Sequence, residues 1–86
     1  MYKLEFKSST KKDLDKIPLK DLARIRATII SLESNPLPAG TRKIGKIKEP
    51  SFRLREGNFR IIYQVDFSDK KVTVISVGRR NESTYK

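Results

Sequence analysis

The first part of the chain is predicted to form a strand followed by a short helix. Tyr2, Leu4 and Phe6 are separated by charged residues, and a period of two is typical of a strand with one buried face. The stretch STKKD then offers Thr10 as a helix N-cap, with Asp13 close to the unpaired amides of the first turn. This helix is short because a proline soon interrupts it.

A second helix is predicted where apolar residues recur with helical spacing. Four residues form one stripe, at intervals of three or four positions: Leu22, Ile25, Ile29 and Leu32. Such a stripe marks the face of a helix that packs against a core. The helix must end in the sequence SNPLPAG, because two prolines and a glycine cannot continue it.

The second half of the chain is predicted to form three strands. They cover Phe52–Arg55, Phe59–Val65 and Val72–Val77, and the turn-like sequences EGN and DFSDKK separate them. The complete order is strand, helix, helix, strand, strand, strand. It predicts a single α+β domain over residues 1–86, with both helices on one face of a small, mostly antiparallel sheet.

The turn between the first two of these strands decides where the arginines lie. A two-residue turn at Gly57-Asn58 is favoured because both residues tolerate positive φ. Opposed residues of an antiparallel pair point to the same face, so Arg55 then faces Arg60, with Arg53 beside them. The apolar residues fall on the other face, against the helices: Phe52, Leu54, Phe59, Ile61, Tyr63 and Val65. A three-residue loop would break this separation and contradict the hydrophobic pattern.

Charge is the strongest global signal in this sequence. The 86 residues include 20 Lys and Arg but 10 Asp and Glu, a net charge of +10. Residues 42–60 carry a net +5 and residues 70–86 a net +4. Because such an excess destabilises a small fold by self-repulsion, it favours a polyanionic partner over a merely solvated basic surface.

Residue types that are absent restrict the chemistry and the location. The chain has no cysteine and no histidine, which removes thiolate metal sites and the commonest acid–base residue. We therefore expect no metal and no cofactor. No segment is long and apolar enough to cross a membrane, so we expect a cytoplasmic protein.

An anion site is predicted at the arginine hairpin. Like charges directly opposed destabilise a sheet by a few tenths to ~1 kcal/mol, so a purely structural surface would favour mixed signs here. Phosphate is the natural ligand for forked guanidinium groups. Further cations strengthen the positive electrostatic potential around the hairpin, and we expect them to bind RNA or phosphate: Lys43, Lys46, Lys48 and Arg79.

The end of the chain is expected to complete this site. If Ile75 and Val77 lie in the core, Arg80 shares the face of Arg60. Tyr85 adds a phenol on which a base can stack. Taken alone, two arginines and a tyrosine near a terminus are more often solvated or packing residues.

The sequences FRLREGNFRIIYQVD and KVTVISVGRRNESTY resemble toxins of the RelE/ParE superfamily, and YKLEFKSSTKKDLDKIP is similar as well. The resemblance covers essentially the whole chain and implies a RelE-like, microbial-RNase-like fold. For the RelE-like branch it implies a metal-independent endoribonuclease that cleaves mRNA in the ribosomal A site, by attack of a ribose 2′-hydroxyl on the neighbouring phosphate. It also implies three partners, namely a cognate antitoxin, the ribosome and mRNA.

The same resemblance assigns roles to five residues. Arg53, Arg55 and Arg60 would contact the phosphate and the transition state. Arg80 would assist the departing 5′-oxygen, and Tyr85 would stack on or orient the substrate nucleotide. The sequence departs from relatives in its C-terminal segment, where the spacing to the tyrosine is one residue shorter than in some active members.

Two other functions stay open from the sequence. One is a ParE-like inhibitor that binds DNA gyrase and needs no catalytic residues. The other is a non-catalytic RNA-binding relative, which would bind with a steep salt dependence but leave translation intact.

Overall fold

The computed structural model describes residues 1–46 and 48–79. Its elements, in chain order, are β1 (Lys3–Phe6), α1 (Ser8–Asp15), α2 (Leu19–Ser31), β2 (Arg42–Lys46), β3 (Pro50–Glu56), β4 (Phe59–Asp66) and β5 (Lys71–Arg79). The predicted order is confirmed, with β2 added to it. The sequence did not predict β2 because its five residues are all exposed and show no apolar alternation.

The strands form one mixed sheet in the order β1-β5-β4-β3-β2. Of the four strand pairs that the described residues form in this sheet, β1–β5 is parallel. The pairs β5–β4, β4–β3 and β3–β2 are antiparallel. Helix α1 packs against β5, and α2 contacts β3. The expected α+β arrangement, with a mostly antiparallel sheet, is therefore confirmed. Among the described residues, neither helix has the length and apolar character needed to span a membrane.

The core lies between the helices and one face of the sheet. Strand β4 alternates between buried and half-buried residues along its whole length, as expected for a strand with one covered face. The predicted helical stripe is confirmed, since Ile25, Ile29 and Leu32 are buried and Leu22 packs against them. The strands contribute these buried residues: Phe52, Leu54, Phe59, Ile61, Tyr63, Val65, Val72, Val74 and Val77.

The first helix begins earlier than predicted. Its N-cap is Lys7, so the prediction of Thr10 as the N-cap is wrong. Thr10 is instead fully buried inside α1, and its hydroxyl donates a 2.8 Å hydrogen bond to the backbone carbonyl of Val74. The carboxylate of Asp13 accepts a 3.1 Å hydrogen bond from the backbone amide of Val77. Both side chains therefore attach α1 to β5 rather than cap the helix.

A β-bulge in β5 changes which of its residues reach the core. Tyr63 is opposite Val74 and Ile62 is opposite Ser76, so Ile75 is an extra residue in the ladder. The condition that Ile75 and Val77 both lie in the core is met only for Val77, which is buried, because Ile75 is half-buried at the bulge. A bulge inverts the inside–outside alternation beyond it.

Tyr63 attaches the loop between α2 and β2 to the sheet. Its hydroxyl donates a 2.7 Å hydrogen bond to the carbonyl of Pro36 and lies 3.5 Å from the hydroxyl oxygen of Thr41. Burial raises the pKa of the Tyr63 hydroxyl, and the hydrogen bond with Thr41 opposes that shift. The loop thus runs over the end of the core in a fixed position.

Candidate anion-binding site

The β3–β4 hairpin has the register that the hydrophobic pattern predicted. Arg55 is directly opposite Arg60, and Glu56 is opposite Phe59 across a two-residue turn. Of the two turn residues, only Gly57 has a positive φ, of 59°. A positive φ at the first turn position alone is the pattern of a type II′ turn, which matches the twist of the flanking strands.

Helix α2 holds this turn from the covered side of the sheet. The hydroxyl of Thr28 donates a 2.6 Å hydrogen bond to Oε1 of Glu56, and Nε of Arg24 lies 3.8 Å from Oε2 of the same carboxylate. Arg24 also pairs with Asp21 at 3.0 Å. Its guanidinium closes over the turn, since a Cβ on Gly57 would lie 2.8 Å from Nη2. The tip of the hairpin is therefore held at a defined position between its two arginines.

Strand β2 brings a fourth arginine to the same face. Arg42 is directly opposite Arg53, and opposed residues share a face. The result is a diagonal series across β2, β3 and β4, called the arginine row here: Arg42, Arg53, Arg55 and Arg60. Sequence reasoning missed Arg42 as a site residue, because only the pairing of β2 with β3 shows which of its cations shares the arginine face.

The arginine row lies on the face of the sheet that no described helix covers. Arg42 and Arg55 are exposed, while Arg53 and Arg60 are half-buried, and the Nε of Arg60 is shielded from solvent. A cleft of about 370 Å³ lies along the row, lined by Ala39, Gly40, Arg42, Arg53, Leu54 and Arg55. Guanidinium groups aligned beside an open cleft can bind phosphate oxygens with paired hydrogen bonds.

The predicted lysines lie elsewhere. Lys43 is opposite Phe52 and Lys46 is opposite Pro50, so both share the side of the sheet that carries the core. Lys48 is exposed in the connection between β2 and β3. These cations add to the general positive field, but the register of β2 separates Lys43 and Lys46 from the arginine row.

Arg79, which was also predicted to bind RNA or phosphate, lies at the end of β5 on the other side of the sheet from the arginine row. Arg79 is opposite Phe59, and its guanidinium carbon lies 5.1 Å from the centre of that ring, in a cation–π contact. It lines a second cleft, of about 490 Å³, on the helix side. Gly78, which has no side chain, is opposite Arg60. Arg80 and Tyr85 lie outside the described residues.

Comparison with known proteins identifies the family. A family model described as ParE toxin of type II toxin–antitoxin system, parDE, matches residues 4–84. The chain belongs to the RelE/ParE superfamily of toxins. A Methanocaldococcus jannaschii protein described as "Putative toxin RelE1" is 30% identical over 87 residues, which cover 99% of this chain and 96% of that protein.

Solved structures of RelE-type toxins share the fold of this toxin. A chain in the RelE–RelB complex of Pyrococcus horikoshii OT3 is 23% identical, with a TM-score of 0.84 over 95% of this chain and 98% of that chain. A chain in the toxin–antitoxin complex RelBE2 of Mycobacterium tuberculosis is 25% identical, with a TM-score of 0.79 over 92% and 98%. The predicted RelE-like architecture is confirmed, and the protein is a RelE-like toxin of the type II toxin–antitoxin class.

Proposed function

We propose that this toxin is an endoribonuclease that cleaves mRNA in the ribosomal A site and so inhibits translation. The observation that carries the proposal is the register that holds Arg55 opposite Arg60 on an open sheet face. Directly opposed like charges are generally unfavourable in a sheet, so their alignment on an open face favours a ligand of opposite charge over a purely structural surface. A polyanion bound between them turns the same arrangement into an attraction.

The chemistry is an internal phosphoryl transfer within the RNA strand. The 2′-oxygen of a ribose bonds to the adjacent phosphorus while the bond to the 5′-oxygen of the next nucleotide breaks. The 2′-hydroxyl loses its proton, the 5′-oxygen gains one, and the products are a 2′,3′-cyclic phosphate and a 5′-hydroxyl. Arg55 and Arg60 stabilise the negative charge that develops on the phosphate oxygens in the transition state, and Arg53 contacts phosphate beside them.

The C-terminal residues would act on the leaving side of the reaction. By resemblance to the family, Arg80 assists the departing 5′-oxygen and Tyr85 stacks on the substrate nucleotide. Arginine keeps its proton and tyrosine titrates near ~10, so neither is an efficient acid–base group at neutral pH. Catalysis must therefore depend on positioning and on charge stabilisation. This limit explains why the enzyme would need the ribosome to orient its substrate.

The protein partner that we propose is a cognate antitoxin. The neighbours from Pyrococcus horikoshii and Mycobacterium tuberculosis come from toxin–antitoxin complexes, RelE–RelB and RelBE2. The net charge of +10 favours an antitoxin with an acidic or amphipathic segment that folds across the basic face. Such a segment would compete with RNA for the arginine row.

A second candidate function is inhibition of DNA gyrase. It is favoured by the match to a model of ParE toxins over residues 4–84. A gyrase inhibitor has no need of an aligned series of guanidinium groups, so the two functions respond differently to substitution of the row. The third candidate is a non-catalytic RNA-binding protein, which would bind RNA with a steep salt dependence but leave translation intact.

The test is primer extension on mRNA in a purified translation system, with and without 70S ribosomes. We expect wild type to produce cuts only when ribosomes are present, and Arg80→Ala to produce none. Folding of the variant is checked by circular dichroism and by antitoxin binding. Cleavage of free RNA with multiple turnover would contradict ribosome dependence.

The remaining outcomes separate the alternatives. If wild type produces no cuts and leaves protein synthesis unaffected, the nuclease proposal fails. Inhibition of DNA gyrase in a supercoiling assay would then support the gyrase inhibitor. RNA binding with a steep salt dependence would support the non-catalytic RNA-binding protein.

A further inference from the structure

We propose that Arg42 and Arg53 form a second phosphate subsite, which holds the phosphate next to the scissile one. The ligand is the backbone of a single RNA strand. This inference rests on the proposed function, because it assigns the scissile phosphate to the neighbouring Arg55–Arg60 pair. It adds Arg42 to the site as a residue that binds substrate.

The cation pairs repeat along the sheet with a fixed geometry. Arg42 faces Arg53 across β2–β3, and Arg55 faces Arg60 across β3–β4. Arg53 and Arg55 are two residues apart on one strand, about 7 Å along its direction, and the two pairs are displaced sideways by one strand spacing of about 4.8 Å. The centres of the two pairs therefore lie roughly 8 Å apart. This distance is comparable with the separation of consecutive phosphorus atoms along a nucleic-acid strand. Two opposed pairs with this offset can therefore hold two consecutive phosphates.

The charges of the Arg42–Arg53 pair are not neutralised by the fold. Within residues 1–46 and 48–79, neither side chain forms an ion pair or a hydrogen bond with another residue. Arg53 is flanked on its other side by Ile62, an apolar residue of β4. Two opposed guanidinium groups without a carboxylate near them repel each other, and an anion that binds both removes that repulsion.

The cleft beside this pair has a fixed wall. It is lined by Arg42 and Arg53 together with Ala39 and Gly40. These two residues belong to a turn that is closed by a 3.1 Å hydrogen bond from the amide of Thr41 to the carbonyl of Pro38. The hydroxyl of Tyr63 anchors the same loop through the carbonyl of Pro36, at 2.7 Å. A preformed cleft loses less entropy when it binds its ligand than a flexible one does.

The first experiment measures single-turnover cleavage of mRNA on programmed 70S ribosomes. Synthetic mRNAs carry an uncharged methylphosphonate in place of the phosphate on either side of the scissile one. We expect Arg42→Ala to lower the cleavage rate about tenfold on normal mRNA. One of the two methylphosphonates should lower the wild-type rate by a similar factor, and it should cause no further loss in Arg42→Ala. If the loss from Arg42→Ala and the loss from the methylphosphonate multiply at both positions, the two changes act independently and the inference is overturned.

The second experiment measures binding of a single-stranded RNA oligonucleotide by fluorescence anisotropy over a range of salt concentrations. Each phosphate contact contributes roughly 0.7 to the slope of log K against log salt for single strands. We expect Arg42→Ala to reduce the slope by that amount. The matched control is Arg26→Ala, which removes an exposed guanidinium from α2, on the opposite side of the sheet, and should leave the slope unchanged.

The two experiments distinguish failure of this inference from failure of the proposed function. If wild type does not cleave mRNA, the nuclease proposal fails, but the salt slopes still test whether Arg42 holds a phosphate. Equal slopes for Arg42→Ala and Arg26→Ala would overturn the subsite. An absence of measurable RNA binding by wild type would overturn it as well.

Discussion

Glu56 accepts a 2.6 Å hydrogen bond from the hydroxyl of Thr28, across the interface between α2 and the β3–β4 hairpin. Glu56 follows Arg55 in the chain but points to the opposite face of the sheet, because neighbouring residues of a strand alternate. The hydrogen bond thus anchors the hairpin from the covered side, and Arg55 and Arg60 remain on the open side. Through this contact, α2 on the covered side of the sheet helps to fix the position of the proposed catalytic pair on the open side.

Removal of the Thr28 hydroxyl should weaken this anchor. Thr28→Val keeps the shape of the side chain but leaves the Glu56 carboxylate without its donor. We expect a loss of about 1 to 2 kcal/mol in the free energy of unfolding, measured by urea denaturation. Thr28→Ser retains the hydroxyl and should lose less than half as much. Equal losses for the two variants would show that packing, and not the hydrogen bond, is responsible.

The turn itself should not tolerate a side chain at its first position. Gly57→Ala places a Cβ at a φ of 59° and 2.8 Å from Nη2 of Arg24. We expect destabilisation of at least about 1 kcal/mol, because L-residues disfavour left-handed backbone. The control is Gly45→Ala, where no atom lies within 4 Å of the added Cβ and φ is not positive. That change should be neutral or stabilising.

A double variant separates the two causes at Gly57. In the Arg24→Ala background the contact with the guanidinium is gone, but the positive φ remains. We expect the Gly57→Ala loss to persist in that background, because the flexible end of Arg24 can move away. If the loss disappears, the contact and not the backbone conformation is its origin.

Tyr63 should contribute stability that depends on pH. Tyr63→Phe removes the hydrogen bond to Pro36 and should cost about 1 kcal/mol at neutral pH. Because burial raises the pKa of Tyr63, the folded protein holds this proton more tightly than the unfolded chain. The contribution of this protonated hydroxyl to folding stability is fully present below about pH 10, the pKa of tyrosine in the unfolded chain. It decreases as the pH rises above that value.

The stability difference between wild type and Tyr63→Phe should therefore narrow in alkaline solution. Chemical denaturation between neutral pH and about pH 11 measures it. Tyr2→Phe is the control, because its hydroxyl makes no hydrogen bond with the described residues. A difference that stays constant across that range would contradict a raised Tyr63 pKa.

Asp13 should hold the end of β5 in place. Asp13→Ala removes the acceptor for the amide of Val77, and we expect a loss of about 1 to 3 kcal/mol. Asp13→Asn retains an acceptor oxygen and should lose less. Hydrogen exchange at the Val77 amide measures the effect locally, and Asp15→Ala, an exposed position on the same helix, is the control. Unchanged protection in Asp13→Ala would contradict the assignment.

Much of this fold could be predicted because its local signals agree with one another. The stripe of α2 and the alternation of β4 each have a single period, and the EGN turn allows only one register that buries Leu54 opposite Ile61. For the same reason the Arg55–Arg60 pair could be predicted from the sequence alone. The sequence pattern determines which residues of a helix or strand face the core when one side of that element is fully apolar.

The errors occur where tertiary contacts override local patterns. Thr10 is a good N-cap residue, but a hydrogen bond to Val74 draws it into the core. The bulge at Ile75 changes the alternation of β5 without any glycine or proline to indicate it. Arg42 was missed because β2 is exposed at every position, so its face depends only on pairing with β3.

The most direct test of the nuclease account is the single-turnover rate of mRNA cleavage on programmed 70S ribosomes by Arg60→Ala. We expect this rate to fall by about a hundredfold or more, as for loss of one preorganised transition-state contact. Arg26→Ala should cleave as wild type does, which excludes a general effect of charge. If Arg60→Ala is folded, binds antitoxin and still cleaves at the wild-type rate, the arginine pair is not the catalytic site.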